Sequence, residues 1–214
     1  VLARALGLPV EDGRLPWAAL DSATPALPQA WVHPVHFQVG MDAVSLTPAA
    51  HIGLDEAPAR ALFDALAPLC AEDGVALAFD SPVRWRASGE RLRGLVCASL
   101  DRVAGRSVAA WMPQGPEAGW LKRLQSEAQM LFYTHTAHDT RTARGLLPVN
   151  GFWVHGAGAL AAPPALAEAP LESIGLPKTR AATVRAVALA VAEGRLDFSA
   201  GQRLESFVER CVAL

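Results

Sequence analysis

A chain of 214 residues is long enough for one full domain, or for one domain followed by a short second unit. Apolar residues make up 51% of it and charged residues 19%, a balance that excludes an intrinsically disordered chain. The formal net charge is −2, so the chain as a whole carries no basic field that would concentrate nucleic acid or anionic membrane.

The cysteines are odd in number and stand far apart, at Cys70, Cys97 and Cys211. This spacing argues against a disulfide framework and a thiolate zinc site, and favours the reducing cytoplasm. The longest uncharged stretch, residues 145–167, contains several prolines and glycines, so we expect no membrane-spanning helix. The chain starts at Val1 without a basic leader, which leads us to expect a fragment of a longer protein.

Residues 1–30 contain short apolar pieces at 2–8 and 17–20 without a sustained period, and they are predicted to form a helical turn or two and a linker. The pattern changes from Trp31 onwards. Residues 36–39 and 43–46 have the composition of two strands around a Gly-Met-Asp turn, which predicts a β-hairpin. Residues 55–70 place apolar side chains at helical spacing, so we expect an amphipathic helix that ends near Gly74. Three short strand candidates follow, at residues 75–79, 83–87 and 92–98.

The second half of this region is predicted to contain the longest helix, residues 116–135, with one apolar and one polar face. A further helical turn at 136–144 and a strand at 148–155 follow. The fold class is therefore predicted as α+β: a small, mainly antiparallel sheet covered by the helices at 55–70 and 116–135.

The tail differs in pattern, and we place a domain boundary between residues 1–160 and 161–214. Residues 178–193 and 199–212 are predicted to form a helical pair, the second helix opening with the capping box SAGQ. The two apolar faces are expected to pack on each other and to leave exposed apolar surface for a protein partner. These faces comprise Val184, Val187 and Val191 on one helix and Leu204, Phe207 and Cys211 on the other.

The densest polar cluster lies in residues 135–145. On a helix, His135 and His138 would be neighbours that could share a metal or a phosphate, with Arg141 and Arg144 one turn further on. Arginine side chains suit phosphate and carboxylate oxygens because they donate two parallel bonds. The alternative is that His135 caps a helix and the arginines are solvated. A zinc site lacks a clear third ligand at a fixed spacing.

Other motifs are weaker. His33 and His36 lie three apart in an extended segment and so point to opposite faces, which argues against joint metal binding. The glycines at 156 and 158 indicate a tight turn more than an anion site. The sequence contains neither a GxSxG nor a Walker A motif.

The run WLKRLQSEAQML at residues 120–131, followed by His135, spaced arginines, PVN at 148–150 and WVHGAG at 153–158, resembles a known family. It is similar to the bacterial RpfE-type regulatory proteins, which are related to cofactor-independent phosphoglycerate mutases. HPVHF at 33–37 and MPQGP at 112–116 fit the same family, so the resemblance covers about residues 1–160.

Active mutases of this kind need a nucleophilic serine or threonine beside two metals held by clustered Asp and His residues. The sequence shows no such cluster, so the resemblance implies a regulatory protein that binds a small phosphorylated or carboxylated ligand without a cofactor. The residues that it assigns to the ligand are His135, His138, Arg141, Arg144 and Asn150. The alternative is a fragment of a phosphoglycerate mutase or phosphatase that requires a divalent metal.

The tail carries a second resemblance. From PALAEAPLESIGLPKTRA at 164–181 to Leu214 it is similar to the part of AlkA-type 3-methyladenine DNA glycosylases that precedes their helix-hairpin-helix. The hairpin and the catalytic aspartate would come later. The resemblance thus implies an incomplete glycosylase, and since the charges of this segment balance, nucleic-acid binding by the chain is not expected.

Overall fold

The computed structural model describes residues 11, 13–160, 171–174 and 177–192. The chain divides into two compact units. One is Glu11–Ala162, and the described residues after it belong to the other.

The Glu11–Ala162 unit is built from five strands and five α-helices within its described residues. The strands are β1 (Gln29–Val39), β2 (Val44–Pro48), β3 (Ala76–Ser81), β4 (Arg84–Ser88) and β5 (Gly151–Gly158). The helices are α1 (Trp17–Leu20), α2 (Glu56–Glu72), α3 (Leu100–Val103), α4 (Ala118–Tyr133) and α5 (Thr136–Ala143). Short 3-10 turns occur at Ala49–His51, Glu90–Leu92 and Ala109–Trp111.

All strands join one antiparallel sheet in which β1 is central. Along one edge, β1 pairs first with β4 and then with β2; along the other edge it pairs with β5. β3 pairs with β4 on the outside. The predicted α+β class with a small antiparallel sheet and covering helices is confirmed.

β1 is longer than the predicted hairpin arm because it continues through Pro34. Proline cannot donate to a ladder, so it is tolerated only where no neighbouring strand needs its N–H. On the edge that Pro34 faces, pairing with β4 ends at Val32 and pairing with β2 begins at Val35. The missing donor therefore falls in the gap between two partner strands.

α2 and α4 cover one face of the sheet, as their apolar stripes predict. The core there contains Val32, Ala87 and Phe152 from the strands. The helices contribute Ala59, Leu62, Leu66 and Cys70 from α2 and Trp120, Leu121, Leu124, Ala128 and Phe132 from α4, all buried. Both helices are thus held by burial of one face, the usual source of helix stability in proteins.

The opposite face carries a smaller core made by Val35, Leu46, Val103, Val108 and Trp153. The indole Nε1 of Trp153 donates to the carbonyl of Ala98 at 2.9 Å, so the ring is both buried and satisfied. Ala98 also packs against this smaller core.

One predicted strand is wrong. Residues 92–98 do not form a strand; Leu92 ends a 3-10 turn, and a single antiparallel bridge joins Val96 to Gln114. The apolar pattern reflects burial of Leu92, Leu95 and Cys97 in the core, not membership of the sheet. A short apolar run cannot by itself distinguish a strand from a buried loop.

In the second unit, the predicted helix at 178–193 is present as α6 (Lys178–Ala192). Its fully buried positions are Ala181 and Ala190, whereas Val184 and Val187 are only half-buried. The second predicted tail helix, with Leu204, Phe207 and Cys211, lies outside the described residues, and so does the predicted packing of the two helices.

The thiols of Cys70 and Cys97 are unpaired and buried, and burial raises the pKa of each to about 12. In the described part of the chain no helix has both the length and the apolarity needed to cross a membrane.

Candidate functional site

His135 sits at the junction of α4 and α5. Its backbone is extended, with φ −82° and ψ 140°, and it caps α5: its Nδ1 accepts a hydrogen bond from the Ala137 N–H at 3.1 Å. Because Nδ1 accepts, the neutral ring carries its proton on Nε2. His135 therefore caps α5, as the alternative interpretation of the sequence expected.

Arg141 is buried, with 3% of its surface exposed. Its guanidinium donates to three carbonyls: Ile52 at 2.6 Å, Gly53 at 3.0 Å and Leu147 at 2.9 Å. These bonds tie α5 to the loop that precedes α2. Burial lowers the pKa of Arg141, the Asp55 carboxylate acts in the opposite direction, and the Arg144 cation lowers it further. Among the described residues no carboxylate forms an ion pair with this guanidinium.

A cavity of about 250 Å³ opens between the start of α2 and the face of α5. We call it the α2–α5 cavity. One wall is formed by Asp55, Pro58 and Ala61, and the other by His135, Thr136, Ala137, Thr140, Arg141 and Arg144. Asp55 and Arg144 are exposed, and neither takes part in an ion pair or a side-chain hydrogen bond with any residue described. The cavity therefore presents both signs of charge to solvent.

Three of the five predicted ligand residues meet at this cavity: His135, Arg141 and Arg144. His138 does not line it; its ring packs edge-on against Tyr133, with ring centroids 5.1 Å apart, and its buried Nδ1 has no partner among the described residues. The helical spacing expected between the two histidines does not hold, since His135 precedes the helix.

Asn150 is also elsewhere, at the entrance to β5. Its amide bonds to the backbone of Phe37 on β1, with Oδ1 accepting at 2.7 Å and Nδ2 donating at 2.9 Å. Both polar ends of the side chain are thus used inside the sheet.

The structure also brings together two histidines that the sequence reasoning did not pair, His33 on β1 and His155 on β5. Their rings stack with centroids 5.0 Å apart and their Nε2 atoms are 3.1 Å apart. The Nδ1–H of His33 donates to the Val83 carbonyl at 2.8 Å, so its Nε2 must accept from the Nε2–H of His155. The Nδ1 of His155 is then a buried acceptor without a partner among the described residues.

Both rings of this pair are neutral at neutral pH. Burial lowers the pKa of His155 to about 4, with smaller contributions from His33 and Arg84. Burial also lowers the pKa of His33, against the opposing effect of the Val83 carbonyl. No local motif could have revealed the pair, because it depends on the register that sets Trp31 opposite His155 and His33 opposite Trp153.

His155 also lines a second cavity of about 280 Å³ on the face of the sheet away from α2 and α4. Trp17, Ser99, Arg102 and Trp111 contribute to its walls. Across all described residues, no group of three His, Cys, Asp or Glu side chains is placed to hold a metal ion.

Comparison with known proteins finds a similarity in structure but no match in sequence. No protein family and no curated protein matches the chain by sequence. Among solved structures it is similar to the cofactor-independent phosphoglycerate mutase from Thermoplasma acidophilum DSM 1728, with a TM-score of 0.51 and 19% identity. The chain is distantly related in fold to this mutase. The match covers 74% of the chain but only 46% of the mutase, so the chain spans less than half of that protein's length.

This result confirms the coarse part of the resemblance seen in the sequence, the kinship in fold with cofactor-independent phosphoglycerate mutases. At this identity the likeness extends to the fold alone. The likenesses to RpfE-type regulatory proteins and to AlkA-type glycosylases remain predictions, and the glycosylase-like segment falls mostly outside the described residues.

Proposed function

We propose that the chain is a non-catalytic regulatory protein of the RpfE type that binds a small phosphorylated or carboxylated ligand in the α2–α5 cavity. The observation that carries the proposal is Arg141: a buried cation that borders an open cavity and has only carbonyl oxygens as partners among the described residues. Burying a charge is costly unless an opposite charge compensates it. An anion in the cavity would supply that charge.

The surrounding groups support the same ligand class. Arg141 has five N–H groups and uses three, which leaves two for a ligand oxygen. Arg144 adds an exposed guanidinium without a hydrogen-bonded partner among the described residues. The Thr136 hydroxyl can donate, whereas Thr140 already donates to the Thr136 carbonyl at 2.8 Å and can only accept. The ligand would thus be held by two guanidinium groups and one hydroxyl.

His138 and Asn150 have no part in this site as proposed, because their side chains are engaged elsewhere. The volume of the cavity, about 250 Å³, suits a metabolite smaller than a drug-sized molecule, for which pockets of about 300–1,000 Å³ are typical.

Isothermal titration of the full chain with inorganic phosphate and with 3-phosphoglycerate at low salt tests the proposal. Arg144→Gln should weaken binding about tenfold, in the range of a lost charge-assisted bond of about 1.5 kcal/mol. Arg106→Gln is the matched control, since Arg106 is also an exposed arginine but does not line the cavity. Absence of binding, or equal affinities in the two variants, would refute the proposed site.

An activity assay tests the alternative that the chain is an enzyme. A coupled mutase assay with added Mn²⁺ that gives turnover, and loses it when the metal is removed, would support a phosphoglycerate mutase or phosphatase. Arg141 is unsuitable as a binding variant in either experiment, because its replacement would also break three structural hydrogen bonds.

A further inference from the structure

The α2–α5 cavity presents an acid and a base that do not neutralise each other. Asp55 lies just before α2 and Arg144 just after α5, and both side chains line the cavity and are exposed. Neither forms an ion pair with the other or with any residue in the described ranges. Asp55 makes no side-chain hydrogen bond to cap α2 either, although it occupies the capping position. Its carboxylate is therefore available to a ligand.

The two charges lie near the same buried group. The Asp55 carboxylate and the Arg144 guanidinium both influence the pKa of Arg141, in opposite directions. All three residues line the same cavity, and no ion pair joins Asp55 to either arginine among the described residues. A ligand that fills the cavity would consequently meet a negative group and two positive groups at once.

A simple anion matches only part of this arrangement. It would gain from Arg141 and Arg144 but would be repelled by Asp55, because like charges brought together without solvent are destabilising. A ligand that carries both an ammonium and a carboxylate would satisfy all three residues.

We propose that the natural ligand of the α2–α5 cavity is a small zwitterionic amino acid, a refinement that rests on the proposed function above. Its ammonium donates to the Asp55 carboxylate, and its carboxylate accepts from Arg144 and from the two remaining N–H groups of Arg141. The rest of the wall is formed by three small apolar side chains, Pro58, Ala61 and Ala137, and by the polar side chains of His135, Thr136 and Thr140. A short apolar side chain on the ligand would pack against Pro58, Ala61 and Ala137.

The size of the cavity agrees with this class. The volume of about 250 Å³ is below the range of about 300–1,000 Å³ that is typical of pockets for drug-sized ligands. A small amino acid agrees with a space of this size.

The test compares three ligands that differ only in their charged ends: L-alanine, N-acetyl-L-alanine, which lacks the ammonium, and L-alaninamide, which lacks the carboxylate. Each is titrated by calorimetry into the full chain, together with inorganic phosphate. L-alanine should bind at least tenfold more tightly than either derivative. Asp55→Asn should remove the preference for L-alanine over its N-acetyl derivative. Arg144→Gln should reduce the preference over the amide, because Arg141 still donates to the carboxylate.

Matched controls are Asp64→Asn, an exposed acid on α2 that does not line the cavity, and Arg106→Gln; both should bind as the unchanged chain does. If Asp55→Asn tightens phosphate binding and L-alanine binds no better than its derivatives, the ligand is a simple anion: the zwitterion proposal is wrong and the anion-binding function stands. If Arg144→Gln changes the binding of no ligand, both proposals are wrong.

Discussion

The side chain of Asn150 pairs with the backbone of Phe37 as another strand residue would. Its Oδ1 accepts from the Phe37 N–H at 2.7 Å, and its Nδ2 donates to the Phe37 carbonyl at 2.9 Å. The backbone N–H of Asn150 donates to Val35 at 3.2 Å. The side chain thus extends the β1–β5 ladder beyond the first paired residues, Val35 and Gly151.

We expect Asn150→Ala to destabilise the protein by about 2 kcal/mol, because it leaves one donor and one acceptor of a half-buried strand unpaired. Asn150→Asp should be at least as costly, since it keeps the acceptor but sets a carboxylate against the Phe37 carbonyl. Urea unfolding measures both. Gln38→Ala, at an exposed position of β1, is the control and should change stability by less than about 0.5 kcal/mol. Equal effects at the two positions would contradict the pairing.

Arg141→Ala should cost about 3 kcal/mol or more, because the carbonyls of Ile52, Gly53 and Leu147 lose their donor in a buried setting. Arg144→Ala, one turn later and exposed, should be nearly neutral. Thermal unfolding of the two variants side by side distinguishes a structural arginine from a solvated one. A stable Arg141→Ala variant would show that these carbonyls do not depend on the guanidinium.

Stability should fall as the pH drops from about 6.5 towards 4, because of His155. The folded-state pKa is about 4 and the unfolded-state value about 6.5, so in this window the unfolded chain binds more protons and acid favours unfolding. Each pH unit below 6.5 lowers the free energy of unfolding by about 1.4 kcal/mol through His155. The loss at pH 5 relative to pH 8 is therefore about 2 kcal/mol. Burial of His33 adds to the effect in the same direction.

The check is urea unfolding of the unchanged chain and of His155→Gln at pH 8 and pH 5. Glutamine can still donate to His33 but does not titrate, so the variant should lose less stability on acidification. If both proteins lose the same amount, His155 is not the group responsible.

Two glycine substitutions should have opposite effects. A Cβ at Gly151 would lie 2.6 Å from Cε2 of the Phe37 ring, so Gly151→Ala should destabilise by about 1–3 kcal/mol through overpacking. A Cβ at Gly119, an exposed position in α4, would meet nothing within 4 Å, so Gly119→Ala should stabilise by about 0.5–1 kcal/mol. Chemical denaturation curves give both signs, and the same sign for both would contradict this packing.

The local sequence pattern was sufficient to predict the elements that bury one face. The hairpin of β1 and β2, the stripe of α2 and the long α4 all follow from the spacing of apolar residues. Pattern was insufficient for residues 92–98, whose apolar side chains enter the core from a loop, and for the length of β1, whose proline is acceptable only because two partner strands leave a gap beside it.

Some features of the candidate site could likewise be predicted from local sequence, and others could not. His135, Arg141 and Arg144 lie close in the sequence on and beside one short helix, so their proximity could be predicted. The burial of Arg141 and the approach of Asp55 depend on how α2 packs near α5, which the local pattern does not encode. The pairing of His33 with His155 requires the register of strands from opposite ends of the unit.

That register also has a consequence for the order in which the unit can assemble during synthesis. β2 and β4 follow β1 within the first half of the unit and can pair with it early, whereas Gln29 must wait for Gly158 to leave the ribosome. Until then the β5 edge of β1 has unpaired N–H and C=O groups, the kind of edge that recruits other chains. We therefore expect nascent chains that stall before residue 151 to aggregate, even though they contain both helices that cover the sheet.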